Sequence, residues 1–176
     1  MSRRIEIVEV SPRDGLQNEK AVLSVEDRIE LIGRLEAAGA RRVEAVSFVN
    51  ERRMPQMAGA EQVMAGLPRN TEKRRSGLVL NRRGWDRAVA AGCDEANVVI
   101  TATDGFGLAN QRASRAEQLA GLAGMKDGPP ISVTIAVAFG CPFEGEVDEG
   151  LVREVAEETR RLGIGELVLA DTIGVA

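Results

Sequence analysis

Arg13 and Asp14 stand side by side in the stretch Val8 to Lys20, VEVSPRDGLQNEK, where an apolar alternation ends at Pro12 and Gly15, Gln17 and Asn18 follow. A carboxylate at a strand end can ligate a hard divalent cation such as Mg2+. A guanidinium beside it can stabilise an oxyanion that develops during a reaction. The competing reading is an exposed ion pair or a helix cap. Glu44 lies in a second apolar run, with Val43 and Val46 around it, where a carboxylate is costly unless paired. Arg13 would satisfy it if both face a barrel interior; an outward orientation is the alternative. Asp171 closes a third apolar run and precedes Thr172, which fits either a proton-handling carboxylate or a helix N-cap. Gln17 and Asn81 can bind a substrate or fix a loop by hydrogen bonds. Cys141, in AFGCPFEG, has no base nearby and reads as a buried structural thiol. Met54 and Met57 read as cover for apolar surface.

The elements that must position these residues repeat one pattern. Strands are expected at Ile5–Val10, Val43–Val49, Gly77–Leu80, Ala96–Ala102, Ile131–Phe139 and Glu166–Ala170, short and several of them apolar on both faces. That is the pattern of parallel strands covered on each side. Helices are expected between them: one capped by Ser24 and stopped at Gly39, one in GAEQVMAGL, one in WDRAVAAG ending at Gly92, one in ASRAEQLAGLAG, and one capped by Asp148 and stopped at Gly163. Polar residues cluster after the strands, where parallel α/β proteins place their sites. Alternating strands and helices leave an open doubly wound sheet or a (β/α)8 barrel. No GxGxxG follows the first strand and no GxxxxGK[ST] occurs anywhere, so nucleotide-binding folds lose their usual anchor. The expected fold class is therefore α/β, an incomplete (β/α)8 TIM barrel of six strands with a parallel sheet.

Composition narrows the chemistry. The chain has 176 residues, a net charge of −4, 44% hydrophobic and 28% charged residues, values of an ordinary globular domain. One domain, residues 1–176, is expected, the N-terminal portion of a barrel without strands seven and eight. The acidic balance gives no footprint for nucleic acid, and no apolar run reaches the ~20 residues needed to span a bilayer. The basic pairs Arg3-Arg4, Arg41-Arg42, Arg52-Arg53 and Arg74-Arg75 read as solvated surface. Cys93 and Cys141 make neither a disulfide framework nor a zinc pattern, and a cytoplasmic location is expected. Histidine and tyrosine are absent, so Ser-His, Cys-His and HExxH chemistry cannot be built from these residues alone.

VEVSPRDGLQNEK resembles the opening strand and loop of the hydroxymethylglutaryl-CoA lyase family. The resemblance continues in order through VEAVSFV, MPQMAGAEQVM, AVAAG, FGCPFEGEV and ADTIGVA, covering nearly the whole chain. It implies a metal-dependent TIM barrel that cleaves 3-hydroxy-3-methylglutaryl-CoA to acetyl-CoA and acetoacetate by a retro-Claisen reaction. It implies Asp14 as a ligand of Mg2+ or Mn2+, Arg13 as the cation facing the enolate oxygen, Glu44 as an active-site glutamate, Asp171 as a group in proton transfer and Gln17 as a positioning amide. Asn81 and Thr172 join Gln17 as expected substrate-binding residues, and the expected partner is an acyl-CoA substrate.

This sequence also departs from the family pattern. The His-x-His pair, the asparagine and the glycine-rich cysteine loop of that family have no counterpart here, and FVNERRMPQ and TDGFGLANQ differ from the usual wording. The chain by itself is therefore expected to be inactive, and to be marginally stable or to associate, as a homo-oligomer or with a second chain that completes the barrel. Two other readings stand beside the lyase: a non-catalytic acyl-CoA-binding remnant, and a Claisen-type synthase of the isopropylmalate or homocitrate kind.

Overall fold

The computed structural model describes residues 5–69 and 72–176; Arg3 and Arg4 lie outside them. The chain folds as two compact units, Met1–Leu78 with Asp86–Glu95, and Val79–Trp85 with Ala96–Ala176.

In the first unit, β1 (Val8–Glu9) ends in a π-helical turn, Ser11–Gly15, and α1 (Val25–Ala37) leads to β2 (Arg42–Ser47). A 3-10 turn at Pro55–Met57 and α2 (Ala60–Gly66) then lead to β3 (Arg74–Val79). β1 pairs with β2 and β2 with β3, all parallel. Ser24 caps α1 with a reciprocal box: its Oγ accepts from Asp27 N at 3.0 Å, and Asp27 Oδ2 accepts from Ser24 N at 3.3 Å. Gly39 takes φ 112°, a conformation glycine adopts without penalty, and α1 stops there. Ile32, Val43, Val46, Met57 and Val63 are completely buried in its core.

α3 (Arg82–Ala91) precedes β4 (Glu95–Thr101), α4 (Asp104–Gln111), α5 (Arg115–Ala123) and β5 (Ile131–Ala136). A two-strand hairpin follows, β6 (Gly140–Cys141) antiparallel to β7 (Gly145–Glu146), then α6 (Glu149–Arg161) and β8 (Glu166–Leu169). β4, β5 and β8 run parallel in that order. Asp148 caps α6, its Oδ1 accepting from Gly150 N at 2.8 Å. Ile100, Val133, Ile135 and Val155 are completely buried. Six parallel strands alternating with helices give the α/β architecture of an incomplete TIM barrel. No helix among the described residues is long and apolar enough to cross a membrane.

Four expectations need correction. The first strand is only Val8–Glu9 rather than Ile5–Val10, with Ile5 and Ile7 left exposed outside the sheet pairing. The third strand begins at Arg74 rather than Gly77, because its two arginines are neutralised where they enter the sheet. Arg75 binds both oxygens of Glu36, at 2.6 and 2.8 Å. Arg74 donates to Glu95 at 2.9 Å and to Glu6. Arg42 also binds Glu95, at 2.6 Å. Arg42 and Arg75 are thus buried partners in ion pairs, not solvated surface. The fifth strand stops at Ala136, since Val137 takes φ 52° and leaves the strand conformation. Helix α4 was not anticipated at all, and neither was the hairpin.

Candidate functional site

Pro12 has no N–H to lose and a fixed φ, so it starts the tight turn after β1. The N–H groups of Arg13 and Asp14 both donate to Val10 O, at 3.1 and 2.7 Å, and Asn18 Nδ2 closes the turn on Asp14 O at 2.9 Å. The backbone of this pair is therefore fixed by local geometry. Arg13 Nη1 donates to Asp14 Oδ1 at 2.7 Å, and Arg13 Nε donates to Glu44 Oε1.

Glu44 sits in β2 with its side chain 4% exposed, while that of Arg13 is 14% exposed and that of Asp14 55%. A carboxylate so deep in a strand requires this partner. The register of β2 against β3 shifts between Glu44 and Val46; such irregularities re-aim side chains at strand ends. Arg13 Nη2 makes no hydrogen bond with any described residue, so one edge of the guanidinium remains available for an oxyanion. The structure thus joins three of the expected residues, Arg13, Asp14 and Glu44, in one chain of charges. Gln17, half-buried, follows in the same loop with its amide uncommitted among the described residues.

Asp14 is the one expected metal ligand in this group. Among the described residues no set of three His, Cys, Asp or Glu side chains is arranged to hold a metal ion. A single half-exposed carboxylate already bound to Arg13 does not fit a divalent centre by itself.

Asp171, Thr172 and Asn81 belong to the second unit. Asp171 accepts from Val175 N at 2.8 Å and Ala176 N at 3.1 Å. These backbone donors hold its carboxyl below the usual carboxylate range, so it is ionised at neutral pH. Thr172 Oγ1 accepts from Val137 N at 2.7 Å, which satisfies the amide at the positive-φ residue and leaves the hydroxyl proton to donate elsewhere. Asn81 Oδ1 accepts from Gly84 N at 3.0 Å and its carbonyl accepts from Trp85 N at 3.0 Å. Asn81 therefore starts α3, with its amide nitrogen uncommitted among the described residues.

Cys141 is buried, and Thr103 Oγ1 donates to its sulfur at 3.1 Å, as a structural thiol requires. Met57 is buried and Met54 half-buried, in keeping with their expected covering role. Two further features stand near this site, the first among the polar residues expected after the strands and the second without any sequence signal for a role. Ser47, at the end of β2, is buried with its Oγ unpaired among the described residues. Arg87, on α3, binds Glu61 at 2.6 and 3.0 Å, Glu51 at 2.8 Å and Val49 O at 3.3 Å, with its guanidinium 5.5 Å from the Phe48 ring centroid. These partners lie 26 to 38 residues away in sequence, beyond the reach of local pattern.

The chain as a whole has close parallels among known proteins. (R)-Citramalyl-CoA lyase of Chloroflexus aurantiacus is 43% identical over 187 residues, covering 98% of this chain and 59% of that protein. Hydroxymethylglutaryl-CoA lyase of Pseudomonas mevalonii is 39% identical over 175 residues, covering 97% and 58%. Among solved structures, an HMG-CoA lyase from Acinetobacter baumannii in complex with coenzyme A and 3-methylmalate matches with a TM-score of 0.94 at 38% identity, over 97% of this chain and 57% of that one. The HMG-CoA lyase from Brucella melitensis matches with a TM-score of 0.94 at 40% identity, over 99% and 64%. The chain thus spans somewhat more than half the length of these relatives. A family model described as HMGL-like matches residues 4–176, and the chain belongs to that family.

Proposed function

We propose that this chain supplies the guanidinium–carboxylate part of a carbon–carbon lyase that cleaves 3-hydroxy-3-methylglutaryl-CoA to acetyl-CoA and acetoacetate. The observation that carries the reading is the Arg13–Glu44 pair, which holds a guanidinium at a strand end with its Nη2 edge open.

In a retro-Claisen cleavage a base takes the proton of the tertiary alcohol, and the freed electron pair forms the ketone of acetoacetate. The adjacent carbon–carbon bond breaks, and its electrons pass into the thioester as an enolate. A proton added to the enolate carbon then gives acetyl-CoA. Arg13 stabilises the enolate oxygen, where charge develops only as the bond breaks. Glu44 positions Arg13 and keeps the guanidinium from turning away. Asp171, ionised and anchored by its backbone donors, is assigned proton transfer on the family resemblance. Gln17, the amide nitrogen of Asn81 and the hydroxyl proton of Thr172 are assigned to substrate positioning.

Mg2+ or Mn2+ is the cofactor the family resemblance implies. Asp14 is assigned one ligand position, and the other ligands must come from outside these residues. We place the protein in the cytosol and assign its partner as an acyl-CoA, with oligomer formation or a second chain completing the barrel.

The 43% identity to a citramalyl-CoA lyase favours a second reading of the substrate. Citramalyl-CoA is shorter than 3-hydroxy-3-methylglutaryl-CoA by one methylene, a difference a pocket discriminates by about 1–3 kcal/mol. The test joins this chain to the part of the P. mevalonii lyase that it does not cover and measures cleavage of both thioesters with Mg2+ or Mn2+. Cleavage that depends on Arg13 supports the reading, and the faster thioester names the substrate. A folded chimera that cleaves neither sinks it, and turnover by the 176-residue chain alone removes the claim that ligands are missing.

A further inference from the structure

The loop between β2 and α2 carries Arg52 and Arg53, both exposed, and neither guanidinium has a partner among the described residues. An arginine pair beside a glutamate ordinarily neutralises itself, but here Glu51 is taken away by Arg87 Nη2 at 2.8 Å. The backbone of the pair is nevertheless held. Asn50 Oδ1 accepts from Arg52 N at 3.0 Å, and Asn50 O accepts from Arg53 N and Met54 N, both at 3.0 Å. Arg87 also grips the loop at Val49 O. At its other end, Gln56 Nε2 donates to Glu19 O at 2.9 Å, which ties the loop to the segment running on from Arg13 and Asp14. Lys20, next to Glu19, is a further exposed cation with no side-chain partner among the described residues; Glu19 is exposed too. The loop leaves β2 three residues beyond Glu44.

We propose that Arg52 and Arg53 recognise the phosphate groups of a coenzyme A thioester, beside the Arg13–Glu44 site. The inference rests on the acyl-CoA reading above. Coenzyme A carries its thioester at one end of a long neutral arm and its phosphates at the other. Cations that read the phosphates therefore belong on an exposed loop next to the reacting groups, not among them. Arginine forks match phosphate oxygens in pairs, and a fixed backbone lowers the ordering cost of binding.

The test titrates two probes separately into the 176-residue chain by calorimetry at low salt: adenosine 3′,5′-bisphosphate, the phosphate-bearing end of coenzyme A, and pantetheine, its phosphate-free arm. The bisphosphate should bind, with an affinity that falls as salt rises. R52A/R53A should weaken it about tenfold, R52K/R53K should weaken it less because charge remains, and R34A, on the exposed face of α1, should leave it unchanged. Circular dichroism checks that the variants fold. No binding by the unmodified chain, equal binding by R52A/R53A, or an equal loss in R34A overturns the proposal. If pantetheine binds but the bisphosphate does not, the phosphate site fails and the lyase reading stands. If the bisphosphate binds through Arg52 and Arg53 while the chimera cleaves no acyl-CoA, the lyase reading fails and the phosphate site stands.

Discussion

Arg13, in the turn after β1, donates through Nε to Glu44 Oε1 in β2, so a guanidinium on a loop is oriented by a carboxylate buried in a strand. Removing one member of a buried pair leaves the other uncompensated, at about 3–5 kcal/mol. Glu44→Ala should therefore lower stability to denaturant by roughly 3 kcal/mol and reduce turnover of the chimera by about a hundredfold through misplacement of Arg13. Glu44→Gln, which keeps the shape, should recover most of the stability. A midpoint for Glu44→Ala equal to that of the parent would show that the pair does not matter to the fold.

Arg13→Lys keeps the charge and loses the fork. A lysine can bind Glu44 but cannot at the same time reach Asp14 and leave an edge for the enolate. We expect kcat to fall by about a hundredfold or more with little change in KM. A change confined to KM would mean that Arg13 binds the ground state.

The carboxyl of Asp171 is depressed by its hydrogen bonds to Val175 and Ala176. A depressed carboxyl stabilises what it binds at pH above its unfolded value, and that stabilisation is lost as pH falls through the folded value. The amides of Val175 and Ala176 should be protected from exchange at neutral pH and lose protection only below the usual carboxylate range. In Asp171→Asn the acid step should vanish. Protection loss at about pH 5 or above in the parent, higher than the range in which a depressed carboxyl titrates, would contradict the assignment.

Arg28 is buried in α1, and only its Nη1 is bonded, to Ala58 O at 2.8 Å; Nε and Nη2 are unpaired among the described residues. An unpaired buried cation opposes folding. Arg28→Met should be neutral or stabilising in a thermal melt despite the lost hydrogen bond. A fall in stability of more than about 1 kcal/mol would show that the guanidinium contributes more than it costs.

Among the described residues β1 and β8 each pair on one side only, and Val168 and Leu169 are 40% and 51% exposed on β8. Apolar edge strands invite pairing with another chain. The chain should elute in size exclusion as associated species whose size rises with concentration, and Leu169→Lys should shift it toward the monomer. A compact monomer at all concentrations would remove this expectation.

Much of this was legible because its causes are local. Ser24 followed by Asp27 and Asp148 before α6 are capping signals within one turn of chain. The partner of Glu44 was legible for a different reason: a carboxylate in an apolar strand needs a cation, and few stand at strand ends. Arg42 and Arg75 look identical to surface arginines in sequence, since their partners Glu95 and Glu36 are 53 and 39 residues away. The end of β5 was hidden because Val137 is a strand-favouring residue in a left-handed conformation. Helix α4 was hidden by the two glycines in DGFGLANQ, which lower its intrinsic propensity.

The grip of Arg87 on Glu51 means that the electrical character of the β2–α2 loop is decided partly on α3. An Arg87→Met variant would release a carboxylate to its arginine neighbours and so silence them without altering a single loop residue. Evolution could retune this rim through genetic epistasis between positions 51 and 87, and a library that varied only the loop would never sample it.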